Sequence, residues 1–394
     1  MPVSCLPMMI DGTPTLINQL ICFDVHQPKR KQSAPSIPTP STSIFRLPLE
    51  VMTIILSHLE ENDRPTIARL CRVSKDMFSI AAPILYKSIF VSPLLAYDSR
   101  ADHTLDRFTA TGKEKTNTRK KKLLKNAELV VIDSHHATWC GHKSFKYPNL
   151  KTLVLILTIN GFGSVLHCND ILEKQCSLVK CLEPKKLVLF GMNMTSITTF
   201  EMFGVPPKIF SNVQELTSVA IMDETRPRTV WGGFQEMPKL KKLVWFFHTT
   251  HPSMEWQAGS RDFLGLRRNH TPCETDLHAL AHFLQTTPNV PTYVVNSGSL
   301  HPKYVGETTA SKDRIQTKFV EYLKSIMLDG KIGPWCKEGW KEGTSESEKE
   351  EKRKEYRSRF DNIHFISMKE YLQNHDWSGE IVPHQAKLWL ALAI

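Results

Sequence analysis

The residues of this 394-residue chain best suited to chemistry are His135, His136, Cys140 and His142, which fall within eight residues and are all zinc-ligand types. Metal binding is the chemistry such a cluster would perform. Its spacing, H-H-x3-C-x-H, fits no common structural zinc frame, and adjacent His135 and His136 in an extended segment point to opposite sides. Cys168, Cys176 and Cys181 lie on or near a helix expected over 169–182, where free thiols pack as small apolar groups. No metal site is expected from either cluster. Gly161-Phe162-Gly163-Ser164 follows an apolar strand, as a phosphate-cradling turn would, but lacks a third glycine and the lysine, so it reads as a turn between elements. No HExxH, GxSxG, GxGxxG or GxxxxGK[ST] motif occurs. The chain is therefore expected not to be an enzyme and to use no cofactor.

Charge offers a different chemistry. Lys113 to Lys125 holds seven Lys or Arg and one Glu, within a chain of net charge +10 from 50 basic and 40 acidic side chains. Such a run could contact phosphates or an acidic partner. It interleaves no aromatic ring on which bases could stack, so it reads first as a solvated linker, and nucleic acid is not the expected partner. Nine scattered cysteines without a CxxC pair point to free thiols in a reducing compartment, cytoplasmic or nuclear. No run approaches the about 18–20 consecutive apolar residues of a membrane-spanning helix. A hydrophobic fraction of 41 % leaves ample material for a core.

The elements that must position any function begin at residues 45–90. Pro48 suits a first helical turn. Val51, Ile54, Ile55, His58 and Leu59 recur at three- and four-residue steps, which is one apolar helix face. Asp63 is a candidate N-cap with Pro65 just inside the next helix. Ile67, Leu70, Cys71 and Val73 make a second face, and Met77, Phe78, Ile80, Ala81, Ile84 and Leu85 a third. Three short helices with this much apolar surface must dock onto something. The joint spacing of Leu47-Pro48, Glu50-Val51, Leu59, Val73 and Pro83-x-Leu85-Tyr86 resembles the F-box, in the form common in fungal F-box proteins, with Met77-Phe78 in the region where many members carry a Trp.

From Glu128 onward short β-rich runs recur: 128–132, 150–157, 185–190, 213–221, 240–247, 289–295 and 362–366. Several follow the same punctuation, as in Tyr147-Pro148-Asn149-Leu150 and Met237-Pro238-Lys239-Leu240. Aligned on Leu129, Leu153, Leu187, Leu216, Leu243, Tyr293 and Ile363, the steps are 24, 34, 29, 27, 50 and 70 residues. The first four lie around the spacing of leucine-rich repeats. Helices expected over 169–182, 275–285 and 314–330 separate strands, the arithmetic of a parallel sheet, and the near-continuous apolar runs suit strands buried on both faces. The last helix should bury Ile315, Phe319, Leu323 and Ile326. Residues 337–359 read as a charged surface insertion, and the terminal AKLWLALAI as a docked helix.

The expected fold class is α/β: a small N-terminal three-helix F-box unit followed by an irregular solenoid, similar to leucine-rich repeats, with parallel strands; an ordinary α/β sheet domain is the alternative. The expected division is a disordered tail over 1–43, the helical domain over 44–92, a basic linker over 93–127 and the α/β domain over 128–394. The F-box resemblance implies a non-catalytic substrate receptor of a cullin–RING ubiquitin ligase, bound to a Skp-type adaptor and through it to a cullin. Leu47, Pro48, Val51, Ile55, Leu59, Leu70 and Val73 would face or support the adaptor, and the α/β domain would bind an unknown substrate protein. The competing expectation is a basic nuclear nucleic-acid-binding or scaffold protein that uses Lys113–Lys125. A third is a helical trio used for internal packing or another partner, which burial of Val51, Ile55 and Leu59 would reveal.

Overall fold

The computed structural model describes residues 47–91, 121–132, 147–156, 179, 181–190, 207–221, 237–248, 280–281, 284–285, 287–300, 302–305, 307, 309–329, 345–381 and 383–391. Two units divide between Lys87 and Ser88.

The first unit is three helices: α1 (Leu49–Asn62), α2 (Arg64–Leu70) and α3 (Lys75–Leu85). Capping side chains set their starts. Asp63 accepts the Thr66 amide at the head of α2, with Pro65 in the first turn, and Ser74 accepts the Met77 amide at the head of α3. Leu56, Ile67 and Ala81, one from each helix, form a small core against which Leu59, Leu70, Cys71, Ile80, Ile84 and Leu85 pack.

The second unit contains an open sheet of eight parallel strands: β1 (Ser88–Val91), β2 (Leu129–Ile132), β3 (Thr152–Ile156), β4 (Lys186–Phe190), β5 (Glu215–Ile221), β6 (Lys242–His248), β7 (Thr292–Val295) and β8 (Ile363–Ile366). Spatial order equals chain order, so each strand lies beside the one that follows it. Seven strands fall where the apolar runs placed them. The eighth, β1, had been assigned to the helical unit, because Ser88-Ile89-Phe90 continues an apolar run; α3 instead stops at Tyr86, and Ser88 pairs with Leu129.

Register explains the repeat. Leu153, Leu187, Leu216 and Leu243 form one row, as aligned, but Val130 and Thr292 complete it in place of Leu129 and Tyr293. Neighbouring apolar residues gave the pattern no means of choosing between those positions. Two residues beyond this row lie Ile132, Leu155, Leu189, Ser218 and Trp245, and three residues before it Ala127, Leu150, Pro184, Val213 and Leu240, all buried. The turn before each of β2 to β6 also recurs: Ala127, Leu150, Leu182, Val213 and Leu240 each donate an amide to the carbonyl three residues earlier. At the entry to each of β3 to β6 two successive amides then converge on one carbonyl of the preceding repeat, as Lys151 and Thr152 do on Glu128.

After β7, Asn296 takes a left-handed conformation at φ 66°. Buried, it donates its side-chain amide to the Phe247 carbonyl at 2.9 Å, continuing the sheet's hydrogen bonding beyond the last paired residue. One face of the sheet packs on α4 (Lys312–Asp329), whose Phe319 meets Phe247 edge-on with ring centroids 5.5 Å apart. Ile315, Phe319 and Leu323 are buried as expected, and Met327 takes the place assigned to Ile326. The charged insertion becomes α5 (Glu346–Asp361), started by a Ser345–Glu348 capping box and burying no residue. After β8 come α6 (Met368–Asn374) and α7 (Pro383–Ala391).

Candidate partner-binding surfaces

Helix α1 carries two apolar stripes. Met52 and Leu56 turn inward, while Val51, Ile54 and Ile55 remain exposed, as do Leu47, Pro48 and Leu49 ahead of and at the helix start. Of the seven residues singled out from the sequence, Leu47, Pro48, Val51, Ile55 and Val73 are exposed; Leu59 and Leu70 are half-buried against the small core. The seven are therefore a presenting set and a supporting pair. Leu49 and Ile54, 57 % and 59 % exposed, extend the presenting set and were not in it. Their signal was readable: on a 3.6-residue helix Ile54 sits beside Val51 and Ile55. Leu59, grouped with that face by sequence, lies at its margin, three residues on from Leu56 and half-buried against the same small core. In the region where a Trp was sought, Met77 is buried and Phe78 half-buried.

On the second unit, the sheet face opposite α4 is apolar and already covered. Val131, Val154, Val188, Val219, Val244, Phe246, Val295 and Ile366 pack against Met368, Tyr371, Leu372, Ile381, Ala386 and Trp389. Residues 368–390 thus form a strap that returns across the strands from β8 toward β2. Gly379, at φ +80°, passes so close that a Cβ there would lie 3.1–3.3 Å from Thr152, Leu129 and Val154 side chains.

A buried clasp holds the strap. Glu380 Oε1 accepts from Thr217 Oγ1 at 2.6 Å and from Lys186 Nζ at 3.0 Å, and its Oε2 accepts from Tyr371 OH at 2.6 Å. Lys186 also donates to the Asp376 carbonyl at 3.0 Å. Burial first, then the charge and hydrogen bond of Glu380, hold the Tyr371 phenol far above its ordinary range. Beside the clasp, His375 stacks on Tyr371 with centroids 5.0 Å apart and tilts against Tyr293 at 4.6 Å. Burial, Lys242 and His364 push the imidazole below its usual value, against the opposing pull of Glu380 and Glu370. With both carboxylate oxygens of Glu380 engaged and its side chain sealed from solvent, this cluster fastens the strap.

The remaining sequence candidates separate cleanly. Trp245 and Phe246 are fully buried core residues. His135, His136, Cys140, His142, Cys168, Cys176 and Gly161–Ser164 lie outside the described residues, as does Lys113–Lys120. Among the described residues no group of His, Cys, Asp and Glu is arranged to hold a metal, and no helix is long and apolar enough to cross a membrane. Comparison of the chain with protein-family models, with curated proteins and with solved structures found no match.

Proposed function

We propose that this chain is a non-catalytic substrate receptor of a cullin–RING ubiquitin ligase, with the three-helix unit acting as an F-box that binds a Skp-type adaptor. The observation that carries the reading is the outward display of Leu47, Pro48, Val51 and Ile55 beside Ile54 on α1. Each such side chain contributes about 1.5–3 kcal/mol gross when buried, before the costs of association are subtracted. A helical trio used for internal packing would hide these positions.

The second unit is, in this reading, an irregular leucine-rich-repeat-like solenoid that binds the substrate. Support comes from the repeated buried triad typified by Leu150, Leu153 and Leu155, from the strand order, and from the Asn296 amide that bonds the neighbouring repeat. The strap narrows where a substrate could sit, since this apolar face is filled by the chain's own residues.

Co-purification with a Skp-type adaptor tests the proposal. The double variants Leu47→Asp/Pro48→Ala and Ile54→Asp/Ile55→Asp should each abolish it while the thermal melt stays unchanged. Retention of the adaptor by both variants would overturn the assignment.

A further inference from the structure

With both sheet faces covered, the rims are left. All eight strands are parallel, so their N-terminal ends share one rim. Lys151, Lys185 and Lys241 immediately precede β3, β4 and β6 and are exposed there, in one row set by the strand register. Lys125, Lys208 and Lys239 add exposed cations from the turns before β2, β5 and β6, against Glu128, Glu183 and Glu215 on the same rim. Lys151 pairs with Glu128 at 2.9 Å and Lys208 with Glu183 at 3.4 Å, exposed contacts that exchange readily for others. Lys125, Lys185 and Lys241 form no ion pair among the described residues.

Acceptors share the rim and select the partner. Asn126 and Asn149 each donate a side-chain N–H to a backbone carbonyl, of Leu123 and Lys125 respectively, and each keeps an Oδ1 acceptor. A phosphate backbone offers acceptors alone and is mismatched to these oxygens and to Glu128 and Glu183. An acidic polypeptide brings carboxylates for the lysines and backbone N–H groups for the acceptors. Among the described residues, the rings within these turns, Tyr147 and Phe210, are buried and give bases no platform.

We infer that the rim from β2 to β6 binds an extended acidic segment of a partner protein. At about 4.8 Å per strand the rim spans about 19 Å, the reach of about six extended residues. The inference deepens the receptor reading and rests on it for the partner being a substrate.

The test is fluorescence anisotropy on the full chain with a labelled peptide of alternating Glu and Ser, and with a DNA duplex. The peptide should bind, more weakly as salt rises, and Lys151→Glu/Lys185→Glu/Lys241→Glu should weaken binding by about tenfold or more. The corresponding glutamine triple should weaken it less, while Lys312→Glu/Lys318→Glu on α4 should leave it unchanged. Equal melting temperatures exclude misfolding as the cause. No binding by the unaltered chain, or affinity within about twofold in both lysine triples, overturns the inference. Rim-dependent binding of the duplex above the peptide also overturns it, in favour of nucleic acid. Adaptor co-purification of the same variants reads separately: the lysine triples should keep the adaptor, and loss of the adaptor by the α1 variants alone leaves the rim untouched.

Discussion

Val51 on α1 and Val188 on β4 are the same side chain with opposite fates. Val51 is 39 % exposed beside two exposed isoleucines, while Val188 is fully buried beneath a strap drawn from the far end of the chain. The second unit covers its apolar sheet face with its own residues and fastens the cover with a buried ion pair. The first unit leaves an apolar helix face bare. Burial of that face would stabilise the chain as burial of the other does, and its exposure is the observation on which the receptor proposal rests.

Identical chemistry placed on the two surfaces breaks or sharpens this contrast. Val188→Asp buries an unpaired charge and should destabilise the second unit by about 4 kcal/mol or more, whereas Ile54→Asp should cost within about 1 kcal/mol in urea denaturation. A large cost for Ile54→Asp would mean that α1 is already covered. Next in size is Glu380→Ala, which strands Lys186 in the interior; about 3–5 kcal/mol should be lost from the second unit, read as a lowered denaturation midpoint with the three-helix unit unaffected. The smallest effect is that of pH. Because the folded chain holds His375 below the ordinary histidine value, the unfolded chain takes up a proton that the folded chain refuses as pH falls through about 6.5. Stability present above that pH should decline below it, and His375→Phe should flatten the decline in melts at a series of pH values.

Much of the sheet was legible because its determinants are local. The Pro-Asn-Leu-Lys turn, the apolar triad and the helix face of Ile315, Phe319 and Leu323 each lie within a few residues of sequence, so periodicity found them. The strap's contacts escaped, since Thr217 meets Glu380 across 163 residues and nothing around either residue names the other. Strand β1 escaped because an apolar tetrapeptide after a helix carries no period. On α1 the pattern located the presenting face, yet placed Leu59 on it, since one apolar repeat cannot say which of two adjoining stripes turns inward. Glu380 carries no signal of its own in the sequence and Lys186 reads only as part of the strand run 185–190; the fold makes them partners.

The sequential strand order gives the strap a consequence for synthesis. A ribosome delivers β1 to β7 in the order in which they stack, so each strand can find its neighbour as it emerges. Their valine face stays bare until the strap follows, which makes nascent chains sticky throughout translation and premature termination a source of aggregates. Glu380 follows all eight strands in the chain, so the seal can form only after the whole sheet has been made.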